Sequence, residues 1–151
     1  FAMTGWRLGV AIGPPDLIKK MKQLNSTIVS CVPPFVQLAG IEAIEGDQKP
    51  AQDMVRTYQK RAEIMVAGFN SVNGMKCIMP KGAIYAFPSI KGTGATCVEF
   101  CKIILNECNI AATPGVCFGT NGAGFVRFST VNSEEVIVES INRLKNLFGR
   151  S

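Results

Sequence analysis

The stretch that decides the fold runs from residue 50 to residue 74 and reads PAQDMVRTYQKRAEIMVAGFNSVNG. Its apolar residues recur at alternating steps of three and four, which places them on one stripe of a helix. They are Val55, Tyr58, Ala62, Met65, Phe69 and Val72. Asn73-Gly74 is typical of the residues that end a helix at its C-terminus. A helix of about twenty residues is long for a small domain, so the pattern predicts a helix that bridges two bodies.

The patterns on either side of this helix differ from each other. Upstream, residues 6–12 form a short apolar run before a Gly-Pro-Pro turn, which predicts a buried strand. Two helices are expected after it, at 16–24 and from Pro33-Pro34 to Gly46. Downstream, short strands are predicted at 76–79, 83–87, 110–113 and 125–130, with one helix that carries three cysteines and another at 133–148. This order predicts an α/β protein with a small, mostly antiparallel sheet and helices on one side.

Composition and charge narrow the possible classes of protein. The chain has 151 residues, 47% of them hydrophobic and 18% charged, which is enough apolar material for one compact core. The formal charge is +5, but the basic residues are scattered beside carboxylates on helical faces, so we expect no nucleic-acid partner. Pro33 and Pro34 interrupt the most apolar window, and no run approaches the ~20 residues of a membrane span. We therefore expect no membrane partner.

The six cysteines are interpreted mainly as packing residues. The chain has no histidine and no C-x-x-C spacing, so a metal site is not expected. Three thiols share a helical stripe with apolar neighbours: Cys97, Cys101 and Cys108 with Val98, Ile104 and Leu105. Cys31 and Cys77 lie in apolar runs and are expected to be packed as well, whereas Cys117 lies beside a turn and is expected to be more accessible. Free thiols indicate a reducing, cytoplasmic compartment.

Two arginines are the strongest candidates for a binding function. Each lies among apolar and small residues, where a buried guanidinium needs a bidentate anionic partner. Arg7 follows Gly5-Trp6 and has either a phosphate or a core carboxylate as its partner. Arg127 alternates with Val126 and Phe128 and therefore points to the opposite face of its strand. It either binds a carboxylate or forms a surface salt bridge, and spacing alone leaves these alternatives open.

Six blocks of the sequence form a series that spans the chain. In chain order they are FAMTGWRLG at 1–9, the proline-led turn before Phe35-Val-Gln, residues 58–62, PKGAIY at 80–85, PGVCFG at 114–119 and GFVRFS at 124–129. Together they resemble the C-terminal portion of class I/II aminotransferases, which have the fold-type-I pyridoxal-phosphate architecture and include aspartate aminotransferases. The resemblance covers essentially the whole chain, with the blocks in the family's order and spacing.

The resemblance implies roles for both arginines. Arg7 matches the family's arginine that binds the phosphate of the cofactor, pyridoxal 5'-phosphate. Arg127 matches the arginine that binds the α-carboxylate of the substrate. The family's Schiff-base lysine lies two residues before the position of Phe1, and the residues that hold the cofactor ring lie further upstream. The chain is therefore expected to contain no catalytic residue and to be inactive alone.

The resemblance also implies a domain organisation and partners. Residues 1–46 would be a remnant of the large cofactor-binding domain, 47–74 the interdomain helix and 75–151 the small C-terminal domain. The parent protein would be a homodimer acting on an amino acid and a 2-oxo acid, with aspartate as one candidate substrate. Two alternatives stay open: a pyridoxal-phosphate-dependent lyase of the same fold, and a noncatalytic α/β interaction module.

Overall fold

The computed structural model describes residues 1–149. The chain forms two compact units, Phe1–Met54 and a second unit that begins at Val55. Five α-helices and three short strands are assigned within the described residues. The helices are α1 (Pro15–Ile28), α2 (Pro34–Glu45), α3 (Lys49–Asn70), α4 (Cys97–Cys108) and α5 (Glu134–Phe148), and the strands are β1 (Tyr85–Ala86), β2 (Thr113–Pro114) and β3 (Val126–Ser129). The division between the units falls inside α3.

The first unit consists of α1, α2 and the start of α3. Both α1 and α2 begin with a proline, whose fixed φ suits the first helical turn and whose missing N–H is not needed there. The N–H of Gly46 donates to the carbonyl of Glu42 at 2.8 Å and closes α2. The two predicted helices are therefore confirmed, although α1 continues to Ile28.

The prediction of a buried strand at residues 6–12 is wrong. Thr4–Trp6 form a single 3₁₀ turn, and Arg7 follows it in the left-handed region with φ 54°. The side chains of Val10 and Ile12 are 72% and 96% exposed. A strand is stabilised by hydrogen bonds to a neighbouring strand, and within the described residues no strand pairs with this segment. An apolar run cannot supply that partner by itself.

The sheet of the second unit is antiparallel, as predicted, with strand order β1-β3-β2. The central strand β3 confirms the prediction at 125–130. The outer strands are shorter than expected, and β2 begins only at the end of the predicted 110–113 strand. Residues 76–79 form no strand beyond one isolated bridge between Lys76 and Ser89. The amide side chain of Asn70 explains this, because it bonds both the N–H and the C=O of Cys77, at 2.8 and 3.0 Å.

The core of the second unit joins α3, the sheet, α4 and α5. Phe69 of α3 packs on Phe128 of β3 with ring centroids 4.7 Å apart. The predicted long helix is confirmed but ends at Asn70, and its stripe is buried only from Ala62 onward, since Val55 is 64% exposed. In α4 the buried stripe consists of Cys97, Phe100, Ile104 and Cys108, and the prediction that Val98 and Leu105 share it is wrong, since they are 42% and 52% exposed. The other fully buried apolar side chains include Ile90, Ile104, Val126 and Leu144.

Side-chain caps fix the starts of α4 and α5. Thr96 and Glu99 form a reciprocal capping box at α4, in which Glu99 accepts from the N–H and the hydroxyl of Thr96 at 2.9 and 2.7 Å. These hydrogen bonds hold the pKa of Glu99 below its ordinary value. Ser133 accepts from the N–H of Val136 at 3.5 Å at the start of α5, which confirms the predicted N-cap.

The cysteines divide by burial. Cys77, Cys97 and Cys108 are buried, Cys101 is half-buried, and Cys31 and Cys117 are exposed. Packing is thus confirmed for the three buried thiols, and so is the accessibility of Cys117. The prediction for Cys31 is wrong, because its apolar run forms the exposed link between α1 and α2. Burial raises the pKa of the Cys101 thiol to about 11 and also raises the pKa values of Cys77 and Cys108.

The described residues contain neither a membrane-spanning helix nor a metal-binding cluster. None of the helices in that part of the chain is both long and apolar enough to cross a membrane. The same residues contain no group of three or more cysteine, aspartate or glutamate side chains arranged to hold a metal ion.

Candidate functional site

Arg127 lies in the middle of the sheet, on the central strand β3. Its neighbours Val126 and Phe128 are 0% and 7% exposed and face the core. Because side chains alternate along a strand, Arg127 and Ser129 face the other side. This confirms the predicted orientation of Arg127. The register places Thr113 of β2 directly opposite Arg127, and Tyr85 of β1 opposite Ser129.

Two aromatic rings contact the guanidinium of Arg127. Its Cζ atom lies 4.3 Å from the ring centroid of Tyr85 and 4.5 Å from that of Phe118. Its Nη2 atom donates a long hydrogen bond of 3.5 Å to the hydroxyl of Thr113. No carboxylate among residues 1–149 forms an ion pair with Arg127. The alternative of a surface salt bridge is therefore not realised in this part of the chain, and most of the N–H edge is left without a protein acceptor.

A glycine-rich turn carries Phe118. Gly115–Phe118 form a 3₁₀ turn directly after β2, and Thr120–Gly122 form a second one. Gly115 and Gly122 touch so closely that a Cβ atom on either would overlap the backbone of the other. The N–H of Gly115 also donates to the carbonyl of Phe125 at 2.9 Å. Glycine is needed at both positions because only its backbone can approach this closely.

Further rings extend this face of the sheet into an aromatic row. Phe87 meets Phe118 edge-on, with centroids 6.1 Å apart, and stacks on Phe125 at 5.5 Å with an interplanar angle of 3°. The Nζ atom of Lys91 lies 5.2 Å from the centroid of Phe125. The two cations beside these rings, Arg127 and Lys91, attract anionic groups, and the rings offer apolar contact area to a ligand.

The sequence prediction identified the arginine but missed its surroundings. The residues it did not single out are Tyr85, Phe87, Thr113, Phe118 and Phe125. Alternation within 83–87 would have placed the first two on one face of a strand. Phe118 has no such signal, since its position over Arg127 depends on a turn whose path is set by the contact between Gly115 and Gly122.

Arg7 lies in the first unit, and its surroundings are different. Its side chain is exposed, and Nη1 donates to the carbonyl of Thr4 at 3.2 Å. The described residues supply no carboxylate that pairs with it, so the predicted alternative of a core carboxylate is not realised there. A Cβ atom added at Gly5 or Gly9 would meet nothing within 4 Å. The backbone around this arginine is therefore open to a ligand.

Two clefts of the second unit do not include Arg127. One, of about 90 Å³, lies among α3, α5 and the sheet, and its polar lining comes from Ser129, Asn132 and Ser140. The other, of about 270 Å³, is an apolar groove beside Cys101 and Leu105 on α4. No charged side chain lines the first cleft, and Lys102 is the charged residue that lines the second. Arg127 and its rings remain the best-defined binding feature of this unit.

The chain matches known aminotransferases along nearly its whole length. The family model for aminotransferase class I and II matches residues 1–144. The aspartate aminotransferase of Pyrococcus horikoshii is 40% identical over 147 residues, which cover 96% of this chain and 38% of that protein. The chain spans about two fifths of the length of the curated relatives it matches.

Solved structures give the same result. An aromatic aminotransferase from Pyrococcus horikoshii OT3 matches with a TM-score of 0.92 and 33% identity, over 99% of this chain and 40% of that one. The aspartate aminotransferase of Rhizobium meliloti matches with a TM-score of 0.88 and 33% identity, over 99% and 39%. The mixed helix-and-strand fold is thus part of the fold-type-I aminotransferase architecture.

Proposed function

This chain belongs to the aminotransferase class I and II family, and from that premise we propose that the whole protein transfers an amino group between an L-amino acid and a 2-oxo acid. The family match over residues 1–144 supports the activity. The observation that carries the proposal within this chain is the guanidinium of Arg127. It is held on the open face of β3 and has no carboxylate partner among the described residues.

Arg127 is proposed to bind the α-carboxylate of the amino acid. A guanidinium presents its N–H donors as a planar fork that matches a carboxylate with two parallel hydrogen bonds. Such a pair fixes both the position and the orientation of the substrate's Cα atom. Holding the reacting group in one geometry is worth several kcal/mol of the activation barrier. The specificity for the rest of the amino acid stays open, since the relatives are named for aspartate and for aromatic substrates.

Arg7 is proposed to bind the phosphate of pyridoxal 5'-phosphate, the cofactor that the family implies. The residues present fit such a group: Arg7 is exposed, has no protein carboxylate in the described chain, and follows an open turn that carries the hydroxyl of Thr4. When bound, the cofactor would supply an electron sink for the bonds that break at Cα. Arg7 would contribute a permanent positive charge that anchors the cofactor while the substrate is exchanged.

The remaining catalytic parts are proposed to lie elsewhere in the whole protein. By the family pattern, the cofactor-bearing lysine precedes the position of Phe1, so residues 1–151 alone would be inactive. Residues 1–46 would belong to the large domain, 47–74 to the interdomain helix and 75–151 to the small domain. The whole protein is proposed to be a homodimer. The match spans about two fifths of each relative, which supports the proposal that further parts of the enzyme lie elsewhere in the whole protein.

Replacing Arg127 by lysine in the whole enzyme tests the proposal. Loss of a bidentate charge-assisted pair costs about 3 to 5 kcal/mol, so kcat/KM should fall at least about 100-fold. The loss should appear both in the KM for the amino acid and in kcat, because Arg127 is proposed both to bind and to orient the substrate, while the absorbance of the bound cofactor stays unchanged. Arg143→Lys is the matched control, because Arg143 forms a surface pair with Glu139 at 2.9 Å. An unchanged KM in Arg127→Lys would exclude the carboxylate role.

A further inference from the structure

The two rings at Arg127 come from different elements of the second unit. Tyr85 belongs to β1, and Phe118 belongs to the turn that follows β2. Since β3 lies between β1 and β2 in the sheet, the rings reach the guanidinium from opposite neighbours of its strand. Their side chains are 38% and 51% exposed, so the demands of the core do not account for their positions.

We propose that Phe118 is a positioning residue for substrate binding: together with Tyr85 it holds the guanidinium of Arg127 in the orientation that receives a carboxylate. This inference rests on the proposed role of Arg127. It assigns a binding function to a side chain that has no hydrogen-bonding group of its own.

A ring and a carboxylate contact different parts of a guanidinium: the ring contacts its face, and the carboxylate contacts its N–H donors. An aromatic ring is attracted to a cation through its face and uses none of the in-plane N–H donors. A protein carboxylate would orient the arginine equally well, but it would occupy those donors and neutralise the charge. The rings therefore restrict the side-chain rotations of Arg127 while leaving its N–H donors free for a ligand. Only one donor has a side-chain acceptor in the described chain, the hydroxyl of Thr113 at 3.5 Å.

Phe118 is itself held in place from two directions. Its turn is fixed by the contact between Gly115 and Gly122 and by the hydrogen bond from the Gly119 N–H to the Val116 carbonyl at 3.2 Å. Its ring meets the edge-on ring of Phe87, which in turn stacks on Phe125. A half-exposed phenylalanine on a surface turn would otherwise sample several rotamers.

The test compares Phe118→Leu and Phe118→Tyr, with Phe148→Leu as the matched control. Phe148 is also a ring packed on another ring, but it stacks on Phe100 of α4 with centroids 5.1 Å apart, whereas the rings at Arg127 are those of Tyr85 and Phe118. Calorimetry on the whole protein measures the Kd for two unreactive carboxylates, 3-phenylpropionate and succinate. A ¹⁵N-edited NMR spectrum of the 151-residue chain measures the ring-current shift of the Arg127 Hε proton. The signal is assigned as the one that disappears in Arg127→Lys.

Phe118→Leu should weaken the binding of whichever carboxylate the wild type binds by about three- to tenfold and should move Hε toward its unshifted position. Phe118→Tyr, which keeps a ring, should change Kd less than twofold, and Phe148→Leu should leave both readouts unchanged. Tyr85→Leu removes the other ring at Arg127. Like Phe118→Leu, it should weaken carboxylate binding and move Hε toward its unshifted position.

Three results would overturn the inference, and one of them would also overturn the proposed function. An unchanged Kd in Phe118→Leu, while Arg127→Lys abolishes binding, refutes only the positioning role. An equal loss in Phe148→Leu would show that general packing, not the ring at Arg127, determines affinity. If the wild type binds neither carboxylate and Arg127→Lys changes nothing, the carboxylate role of Arg127 fails and the positioning role fails with it.

Discussion

The packing of α3 against α5 gives a prediction whose magnitude follows from one close contact. Gly68 of α3 faces Ile141 of α5, and a Cβ atom at Gly68 would lie 2.6 to 2.9 Å from three carbons of Ile141. Alanine at position 68 would gain about 1 kcal/mol of helix propensity, but overpacking of this kind costs about 1 to 3 kcal/mol. Gly68→Ala should therefore be destabilising by up to about 2 kcal/mol.

A double-mutant cycle separates the two contributions. Ile141 is 5% exposed, so Ile141→Ala should cost about 2 to 5 kcal/mol through the cavity that it leaves. In the double mutant the new methyl group at position 68 enters that cavity, and the gain in helix propensity remains. The double mutant should therefore be more stable than the sum of the single changes by about 1 to 3 kcal/mol.

Urea unfolding of the 151-residue chain, followed by circular dichroism at 222 nm, measures each free energy of unfolding. Gly68→Ala combined with Ile104→Ala is the control cycle. Ile104 is fully buried in α4, whereas the three atoms nearest to a Cβ at position 68 all belong to Ile141. The changes at positions 68 and 104 should therefore be additive. Additivity within about 0.5 kcal/mol for Gly68 and Ile141 would refute the proposed contact.

Two further predictions concern titratable groups. At pH 8, exposed Cys31 and Cys117 should react with iodoacetamide well before Cys101, whose pKa is raised to about 11. Peptide mass mapping gives the order of labelling. Early labelling of Cys101 would contradict its packing. The lowered pKa of Glu99 means that its stabilising effect is complete above the ordinary value of 4.5 and is lost as the pH falls through the folded-state pKa. In Glu99→Gln the free energy of unfolding should therefore fall less steeply with decreasing pH below about pH 4.5 than in the wild type. An equally steep fall in both proteins would exclude this capping effect.

The features that could be predicted from sequence are those encoded locally. The proline starts of α1 and α2, the cap at Ser133 and the stripe of α3 each depend on residues within a few turns of one another. The orientation of Arg127 also follows from its two immediate neighbours. Patterns of this kind need no knowledge of what lies across the fold.

The predictions that failed depended on distant partners. Residues 6–12 have the composition of a strand but no strand beside them in the described chain. At 76–79 the side chain of Asn70, seven residues upstream of Cys77, occupies the backbone groups that a neighbouring strand would use. The rings at Arg127 come from positions 85 and 118: the antiparallel register places Tyr85 beside β3, and the turn after β2 carries Phe118.

The same strand that completes the core also sets the geometry of the proposed binding site. Val126 and Phe128 are buried on one face of β3, and Arg127 lies between them on the other. A slip of one residue would exchange the two faces and place a guanidinium in the core, so the burial of Val126 and Phe128 fixes the direction of Arg127. The rings then need to fix only its remaining side-chain rotations. The orientation of the proposed carboxylate receptor thus depends on the packing of the hydrophobic core and requires no buried acidic partner.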